Sequence, residues 1–430
     1  MSEAFRIGIA GLGTVGTGVI KILQQNADLI TARAGRPIEI HCVSARSKQK
    51  DRGVDLSNYK WTDRSIDIAE SEEVDAVVEL IGGSEGDALE LVRTALENGK
   101  HVVTANKALL AHHGFKLTQT AESTNVSLNY EAAVAGGIPI IKAMREGLAA
   151  NRFSAVYGIL NGTCNYILTM MRETGGNFDD ILKEAQEQGY AEADPAFDIE
   201  GIDAAHKLCI LTSLAFGVKP DFDNLHITGI TDINAIDIEY ATEFGYRIKL
   251  LGIARKTPEG IMQIMEPCLV PIGSPMGIVE DVYNAVYAEG DFVETPLLTG
   301  KGAGEGPTAS SVVADLIDIA RGIKIPTFGA PVDDLKTAAW IDIGETKAHY
   351  YIRLHVLDRP GVISDISAIL KEDNISIQAM VQRARDPDQP VPVVLTTHDV
   401  RHADMVNAIE KIRNLQTCVE KPCFIRIEEM

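Results

Sequence analysis

The chain has 430 residues, of which 45% are hydrophobic and 23% charged, and this composition excludes a mostly disordered or low-complexity protein. Its 40 Lys and Arg against 61 Asp and Glu give a net charge of −21, which would repel a nucleic-acid backbone or an anionic membrane surface. We therefore expect neither nucleic acid nor a membrane as a partner.

The first part of the chain alternates short β-rich runs with helical runs. Strands are predicted at residues 5–10, 38–43, 76–80, 102–104 and 126–129, with helices at stretches such as 14–25 and 87–98. Such an alternation is typical of a parallel sheet covered on both faces by helices. We predict an α/β domain over residues 1–134.

Longer helical runs mix with strands in the middle of the chain. Helices are predicted at 138–149, 164–173, 178–188, 202–216 and 309–321, and strands at 153–160, 246–254 and 261–269. This mixture predicts a central α+β domain over residues 135–340. Two prolines and a polar run within 326–336 predict a connector near its end.

The last 80 residues begin a new pattern. Strands are predicted at 350–356, 376–382, 391–397 and 423–427, and helices at 361–371 and 403–414, with a turn at 386–390. This βαββαβ order predicts a compact sheet with both helices on one face, forming a module of its own over residues 349–430.

Cysteine use and the N-terminus bear on the compartment. The six cysteines are scattered without CxxC spacing, so we expect neither a disulfide framework nor a structural zinc site. The first residues lack the basic region of a signal peptide, and no apolar run reaches the roughly 18 residues that a membrane span needs. The expected location is the cytoplasm.

A glycine-rich segment follows the first predicted strand and opens the first predicted helix. It reads Gly11-Leu-Gly13-Thr14-Val15-Gly16, and in this context GxGxxG is a dinucleotide-binding fingerprint. Gly11 would permit the tight turn, Gly13 would let a pyrophosphate approach the backbone, and Gly16 would allow close helix packing. Thr14 and Val15 begin the helix, whose free N–H groups would hold the anion. The alternative is an ordinary strand-to-helix turn.

The end of the second predicted strand bears on nucleotide choice. An NAD-specific site carries an acid there for the ribose hydroxyls, but this strand leads into Arg46 and Lys48. These two basic side chains could hold a 2′-phosphate, which favours NADP(H) and leaves NAD(H) as the alternative. A solvated basic turn is the other interpretation, and nearby Asp51 keeps the choice open.

Residues 185–207 form the densest cluster of polar groups in the chain. Asp203 and Lys207 lie four residues apart on an otherwise apolar predicted helix, and therefore share one face. Burial lowers the pKa of a lysine and a neighbouring carboxylate raises it, so this pair could exchange a proton near neutral pH. The alternative is a simple salt bridge, worth about 0.3–0.5 kcal/mol when exposed.

A second lysine, Lys107, directly follows a strand of the first predicted sheet. Ligands bind at the carboxyl ends of parallel strands, so we expect Lys107 to point into the cofactor crevice. The alternative is a helix-start lysine that faces water.

Together these residues resemble the homoserine dehydrogenases, in the single-activity form with a C-terminal ACT regulatory domain. The resemblance covers essentially the whole chain, and its most specific part is A-x3-G-Y-A-E-x-D-P-x2-D-I-x-G-x-D-x3-K at residues 185–207. Further matching segments are residues 11–16, 105–107, 161–165 and 302–309. The resemblance implies an N-terminal Rossmann-type sheet, a central α+β catalytic and dimerisation domain, and the ACT domain.

The resemblance also implies an activity. It is reversible NAD(P)-dependent hydride transfer between L-homoserine and L-aspartate 4-semialdehyde, within threonine, methionine and isoleucine biosynthesis. Glu192 and Asp203 would hold the substrate amino group, and Lys207 would exchange the proton with the substrate oxygen. Lys107 would bind near the nicotinamide and the substrate and could share in the proton transfer. Which lysine is the acid/base stays open.

The resemblance also implies roles for two loops. Residues 302–307, with Gly304 and Glu305, would close over the cofactor. A monovalent cation, sodium, would sit in the loop 131–138, held mainly by backbone carbonyls, which suit a hard cation. Its ligand positions would be Glu131, Val134, Gly136 and Ile138.

The C-terminal segment resembles ACT domains at its turns. Asp358-Arg-Pro-Gly361 occupies the first strand-to-helix turn, and residues 373–375 lead into the second strand. Such modules pair side by side and bind an amino acid at the joint, which implies a homodimer or homotetramer with L-threonine as the effector. The alternative is a dimerisation domain without a ligand.

The sequence allows two functions other than the homoserine dehydrogenase activity. Cys164 could be the nucleophile of a phosphorylating semialdehyde dehydrogenase, but that chemistry needs a paired base, and no histidine stands in a context that marks it. His206 is adjacent to Lys207 in the sequence, but the sequence does not show which side chains lie near it in space. The other alternative is a non-catalytic amino-acid and redox sensor. The presence of both Lys107 and Lys207 together with Glu192 and Asp203 argues against a non-catalytic protein.

Overall fold

The structure is a computed structural model, and it describes residues 3–383 and 389–430. Its N-terminal sheet has the strand order β3-β2-β1-β4-β5-β6, with every pairing parallel. The strands are β1 (Phe5–Ala10), β2 (Ile38–Ser44), β3 (Lys60–Thr62), β4 (Ala76–Glu79), β5 (His101–Thr104) and β6 (Leu128–Asn129). The helices are α1 (Thr14–Gln25), α2 (Ala27–Ala34), α3 (Ile66–Glu70), α4 (Asp87–Glu97) and α5 (Lys107–Ser123).

This sheet confirms the predicted parallel α/β architecture. The strand order reverses direction beside β1, and such a reversal opens a crevice at the carboxyl ends of the strands. Strand β4 is buried along its whole length, as expected when helices cover both faces of a sheet.

The central region builds a larger, antiparallel sheet, which runs β12-β11-β7-β9-β10. Its strands are β7 (Phe153–Ile159), β8 (His226–Ile227), β9 (Tyr246–Lys256), β10 (Ile261–Pro271), β11 (Tyr283–Gly290) and β12 (Leu297–Lys301). Its helices are α6 (Ile140–Lys142), α7 (Gly162–Thr174), α8 (Phe178–Glu187), α9 (Ala196–Ile199), α10 (Ile202–Phe216), α11 (Ala235–Glu243) and α12 (Glu305–Ala320).

The helix predicted at 138–149 is only partly present. Helix α6 covers one turn after Pro139, and the next turn, Ala143–Gly147, is a π-helix. The start of α6 is held by Glu131, whose two carboxylate oxygens accept hydrogen bonds from the N–H groups of Ile141 and Lys142 at 2.9 and 2.8 Å.

Helix α12 packs outside the central region. Gly18 of α1 lies so close to α12 that an added Cβ would stand 2.8 Å from the Glu305 side chain. Apolar residues of α12 join the core cluster of the first sheet, among them Val312 and Leu316. By its packing the helix thus belongs with the first sheet, although it lies within the range 135–340 predicted for the central domain.

The C-terminal elements confirm the predicted βαββαβ order. They are β13 (Lys347–Leu357), α13 (Val362–Glu372), β14 (Ile377–Val381), β15 (Pro390–Thr397), β16 (Val400–Arg401), α14 (His402–Arg413) and β17 (Cys423–Ile427). The sheet runs β17-β13-β15-β14. Residues 386–388 of the predicted turn at 386–390 lie outside the described residues.

The C-terminal elements have a core cluster of their own, but their sheet is continuous with the sheet of the central region. Strand β17 pairs with β13 on one side and, in parallel, with β10 on the other, so the central and C-terminal sheets are continuous. Arg426 of β17 and Glu266 of β10 form a buried ion pair across this junction, with an Nε–Oε1 distance of 2.5 Å. No periodicity within residues 423–427 could reveal this second partner strand.

Two further features concern the cysteines and the character of the helices. The six cysteines all lie in described residues and are free thiols. Within residues 3–383 and 389–430, we find no helix that combines the length and apolar character of a membrane span.

Candidate active site

The glycine-rich turn has the geometry of a phosphate-binding loop. Gly11 has φ +100°, and a Cβ there would lie 2.3 Å from the Leu80 carbonyl oxygen. A Cβ on Gly16 would lie 2.1 Å from the Gly11 carbonyl oxygen. Nothing in the described residues stands within 4 Å of the position of a Cβ on Gly13, so the helix start opens onto free space. The residues present therefore fit a dinucleotide.

The basic loop after β2 is tied to this turn by a residue that the sequence analysis missed. Arg46 and Lys48 are exposed on the loop. Arg52 donates from Nε to the Leu12 carbonyl at 3.1 Å and from Nη2 to the Ser47 carbonyl at 2.5 Å. The guanidinium thereby holds the basic loop beside the glycine-rich turn.

Glu79, also missed, organises the loops at the carboxyl ends of β4 and β5. Its Oε1 accepts from the N–H groups of Ile81 and Gly82 at 2.8 and 3.0 Å, and its Oε2 accepts from the Thr104 hydroxyl at 2.5 Å. The side chain is fully buried. An acid that ends an apolar strand was the available signal, because a buried carboxylate requires such partners.

Lys107 stands at the mouth of the crevice, as predicted from its place after β5. Asn106 caps α5 by accepting from the Leu109 N–H at 3.0 Å, which fixes the direction in which the helix begins. Lys107 lines a cleft of about 400 Å³ together with residues of the nucleotide loops, among them Val15. Phe197 and His206 line the other side of the cleft.

The two candidate lysines meet at one carboxylate. Lys207 Nζ lies 2.6 Å from Asp203 Oδ2, and Lys107 Nζ lies 3.2 Å from Asp203 Oδ1. Lys207 also donates to the Leu160 carbonyl at 2.8 Å and is only 8% exposed. This arrangement is more than the exposed i,i+4 salt bridge considered as an alternative, because Lys207 and Asp203 are buried and Lys107, the first residue of α5, contacts the same carboxylate.

Electrostatics keep Asp203 ionised. Burial favours its protonation, but the charges of Lys207 and Lys107 outweigh burial and hold the pKa of this carboxyl well below its usual range. Burial and the charge of Asp203 raise the pKa of neighbouring Asp198. Asn161 donates to both acids, at 3.0 and 2.8 Å, and its position in the site was missed, although its segment matched the family.

An aromatic wall borders the cleft beside these charges. His206 stacks on Phe222 with ring centroids 4.3 Å apart and on Phe197 at 5.7 Å. Its Nε2 lies 3.3 Å from Nε2 of His112. Burial and the neighbouring His112 lower the pKa of His206 to about 4, so the imidazole is neutral at neutral pH and does not add a charge beside the lysines.

Glu192 is not joined to this cluster in the structure. It lies on the exposed segment between α8 and α9. Gln186 donates to its backbone carbonyl at 3.0 Å, and within the described residues no hydrogen bond or ion pair reaches its carboxylate.

Cys164 has the wrong surroundings for a nucleophile. Its thiol is fully buried and contacts the Asp198 carbonyl, with a sulfur–oxygen distance of 3.2 Å. Burial raises the pKa of the Cys164 thiol well above its ordinary value, and the charges of Asp198 and Asp203 add to that effect. A catalytic cysteine needs the opposite shift, so the thioester hypothesis loses its chemical basis.

The second glycine-rich loop lies against α1. Gly304, with φ +117°, precedes the first residue of α12, and Glu305 pairs with Lys21 of α1 at 2.5 Å. The loop thus adjoins the helix that begins at the phosphate-binding turn, where the resemblance places a cofactor contact.

The candidate cation loop is buried and sharply bent. Ala135 and Gly136 have φ +53° and +36°, and the Gly136 carbonyl accepts from the Ser311 hydroxyl at 2.6 Å. Both carboxylate oxygens of Glu131 are engaged by α6, so its contribution to a cation would come from its carbonyl. Val134 and Ile138 are buried in the same loop. Irregular backbone of this kind fits a hard cation.

Three family models match the chain along its length. Residues 11–131 match the homoserine dehydrogenase NAD-binding domain, residues 139–317 match homoserine dehydrogenase, and residues 350–416 match the ACT domain. The homoserine dehydrogenase of Neisseria gonorrhoeae is 45% identical, over 99% of this chain and 98% of its own length. That of Helicobacter pylori is 42% identical over the full length of both chains.

Solved structures agree with these matches. A homoserine dehydrogenase from Thiobacillus denitrificans superposes with a TM-score of 0.93 at 45% identity, covering 99% of each chain. A hyperthermophilic archaeal homoserine dehydrogenase in complex with NADPH covers 76% of this chain and all of its own, with a TM-score of 0.63 and 26% identity. With the two lysines, the phosphate-binding turn and the ACT elements all in place, the chain belongs to the homoserine dehydrogenase family.

Proposed function

We propose that this protein interconverts L-homoserine and L-aspartate 4-semialdehyde by NAD(P)-dependent hydride transfer, within threonine, methionine and isoleucine biosynthesis. One observation carries the proposal: the Asp203 carboxylate joins the buried Lys207 to Lys107, and Lys107 lines a cleft together with Val15 of the glycine-rich turn. Reduction of an aldehyde needs a proton donor beside the carbonyl oxygen, and an ammonium group provides one.

The bound nicotinamide supplies or accepts the hydride, and the chain's own residues control the proton and the orientation of the substrate. In reduction, an ammonium of the Lys207–Asp203–Lys107 cluster donates its proton to the aldehyde oxygen. In oxidation, the neutral amine takes the proton from the substrate hydroxyl. Asp203 holds both side chains in position, and its charge stabilises the ammonium form.

The remaining substrate contact is assigned to carboxylates. The substrate ammonium group would lie beside Asp203 and Glu192, because opposite charges favour this placement. The position of Glu192 in the segment that leads to Phe197, a residue of the cleft wall, supports its assignment. Phe197 and His206 would exclude water from the reacting atoms.

We assign NADP(H) as the favoured cofactor and NAD(H) as the alternative. Basic residues occupy the loop after β2, where an NAD-specific site would carry an acid, and Arg52 ties that loop to the phosphate-binding turn. The archaeal relative in complex with NADPH supports the same assignment.

Replacing both Arg46 and Lys48 with alanine should raise the KM for NADPH about ten-fold, because two charge-assisted contacts to the 2′-phosphate are lost. The KM for NADH should change less than about two-fold. Steady-state kinetics with each cofactor test this expectation, with Lys60→Ala, an exposed lysine of β3, as the control. An equal rise for both cofactors would show that the loop does not read the 2′-phosphate.

Alanine at Gly13 and at Gly16 should have different consequences. A methyl group on Gly13 meets open space, so the cofactor-free protein should melt as the wild type does, while the dissociation constant of the dinucleotide rises by at least about ten-fold. A methyl group on Gly16 clashes with backbone at 2.1 Å, so Gly16→Ala should lower the melting temperature itself. Thermal melts and cofactor titrations separate the two outcomes, and wild-type cofactor affinity in Gly13→Ala would contradict the assigned phosphate position.

Regulation, cation binding and assembly complete the proposal. We assign L-threonine as the effector of the ACT domain, a monovalent cation, sodium, to the loop 131–138, and a homodimer or homotetramer in the cytoplasm. The ACT elements support the effector and the assembly, and the buried, bent backbone at Ala135 and Gly136 supports the cation.

One assay tests most of these assignments. Nicotinamide absorbance is followed with L-homoserine, comparing NADP with NAD, with and without L-threonine, and with sodium replaced by tetramethylammonium. We expect turnover with L-homoserine, a preference for NADP, inhibition by threonine and loss of activity without sodium. Absence of turnover with either cofactor would overturn the proposed reaction.

A further inference from the structure

A small cavity lies within the central region and shares no lining residue with the cleft of the candidate active site. Helices α7 and α11 and strand β9 contribute most of its lining. Its volume of about 10 Å³ leaves room for one particle the size of a water molecule. The charged residues that line it are Arg172, Arg247, Lys249 and Glu280, and we call it the Arg247 cavity.

Three cations of the Arg247 cavity share one acid of its lining. Arg172 Nη2 and Lys249 Nζ lie 3.2 and 3.4 Å from Glu280 Oε2. Arg247 Nε lies 3.7 Å from the other oxygen, Glu280 Oε1. Outside the lining, Glu173 gives Arg172 a second partner at 3.1 Å. These contacts join three positive charges to two negative ones, so one positive charge is not balanced.

Arg247 has the weakest contacts of the three cations. Its Nη1 is buried, and no atom in the part of the chain that the structure describes accepts a hydrogen bond from it. The distance of 3.7 Å from Arg247 Nε to Glu280 is too long for a hydrogen bond. A buried N–H group without an acceptor is unfavourable. A residue that lines the cavity therefore has a donor that a bound acceptor would satisfy.

The electrostatics of Lys249 and Arg247 agree with an excess of positive charge. Lys249 is only 2% exposed, and burial lowers its pKa to about 8. Glu280 opposes this shift, whereas the charges of Arg172 and Arg247 add to it. Burial and the charge of Arg172 also lower the pKa of Arg247. The three cations thus destabilise one another, and an anion placed among them would relieve that repulsion.

Size and charge together select the kind of ligand. Phosphate and sulfate have five heavy atoms and exceed a volume that holds one water-sized particle. A water molecule would accept a hydrogen bond from Arg247 but would leave the positive charge unbalanced. A halide ion is a single atom, accepts hydrogen bonds from N–H groups and carries one negative charge. Apolar lining residues, among them Leu168 and Ile238, strengthen its attraction to the cations because they exclude water.

We propose that the Arg247 cavity binds one halide ion, which is chloride in the cell, with Arg247 Nη1 as a hydrogen-bond donor and Arg172 and Lys249 as neighbouring charges. The site is separate from the loop 131–138, to which a cation is assigned. The proposal goes beyond the proposed function and does not depend on it.

The ion would stabilise the packing of α7 on β9. Lys249 of β9 donates to Asn165 Oδ1 at 3.0 Å, and the Asn165 N–H donates to the Asn161 carbonyl at 3.2 Å in the first turn of α7. Asn161 in turn donates to Asp203 at 3.0 Å. A ligand that binds the folded protein and not the unfolded chain raises the melting temperature by mass action. We therefore expect chloride to stabilise the protein.

Thermal melts of the full-length protein test halide binding without reference to turnover. Sodium chloride and sodium bromide are compared with sodium gluconate, at equal sodium concentration and a constant ionic strength of about 0.15 M. Because sodium is held constant, the cation loop contributes equally to every melt. We expect the melting temperature to rise with chloride and with bromide, relative to gluconate. Equal melting temperatures in chloride and gluconate would overturn the proposal.

Matched variants connect the response to the cavity. Arg247→Gln removes the unused donor and one charge, so the rise in melting temperature with chloride should disappear. Arg93→Gln, which removes an exposed arginine of α4, should keep the full rise. Arg172→Gln is the second variant if Arg247→Gln does not fold, and it should reduce the rise. A full chloride response in the folded variant would contradict the site.

Bromide locates the ion directly, because its anomalous X-ray scattering distinguishes it from water. Crystals of the full-length protein grown in sodium bromide should show an anomalous peak within hydrogen-bond distance of Arg247 Nη1. An ordered water without anomalous signal at that position would overturn the proposal. A bromide peak without any halide effect on the melts would do the same, since it would show binding at crystal concentration only.

Turnover of L-homoserine is measured in the same anion series. Absence of the proposed reaction with the halide response retained would refute the proposed function alone. Turnover without any halide response would refute the halide site alone.

Discussion

Lys207→Ala should lower the turnover number by about 10²–10⁴-fold, the range expected when a positioned acid/base is removed. The ammonium group of Lys207 is buried against Asp203, and Lys207 is not among the residues that line the cleft with Val15, so the affinity for the dinucleotide should barely change. Steady-state kinetics and cofactor titration measure the two quantities separately. Equal losses in kcat and kcat/KM would show that Lys207 interacts with the reacting substrate only in the transition state.

Lys107→Ala provides the comparison that separates the two lysines. Lys107 lines the cleft itself, so its loss should raise the KM for L-homoserine in addition to any loss in turnover. Lys116→Ala, an exposed lysine on the same helix, should leave all parameters unchanged. Near wild-type turnover in Lys207→Ala would remove this lysine from the mechanism, and a larger loss in Lys107→Ala would make Lys107 the acid/base.

Arg426→Met should lower the free energy of unfolding by about 3–5 kcal/mol, the usual cost of leaving a buried charge without its partner. The Arg426 side chain is 1% exposed, and its removal leaves the buried Glu266 carboxylate of β10 without this partner. Urea unfolding monitored by circular dichroism measures the change. Since the pair spans the junction of two regions, we also expect the ACT elements to unfold before the rest.

A double replacement tests whether the stranded charge is the cause. Arg426→Met with Glu266→Met should recover much of the lost stability, because apolar side chains of similar size can replace a buried ion pair. Arg64→Met, which breaks an exposed pair with Asp67, should cause a much smaller change. A double variant as unstable as Arg426→Met alone would show that packing, and not the unpaired carboxylate, accounts for the loss.

Local patterns were sufficient for the parallel N-terminal sheet, the glycine-rich turn and the βαββαβ order. Each depends on residues close in the chain: alternation sets which face of a strand is buried, and glycine permits the turn at Gly11. The same holds for Asp203 and Lys207, which share a helix face by their spacing alone.

Contacts between distant segments could not be predicted in this way. Lys107 contacts Asp203 only because α5 packs on α10. Arg52 reaches the Leu12 carbonyl from another loop, and β17 pairs with β10 as a second partner strand. Periodicity shows which face of a helix or strand is buried, but it does not show which other segment of the chain packs against that face. The chemistry of the site depends on that pairing, since the charge that keeps Asp203 ionised comes from lysines on two separate helices.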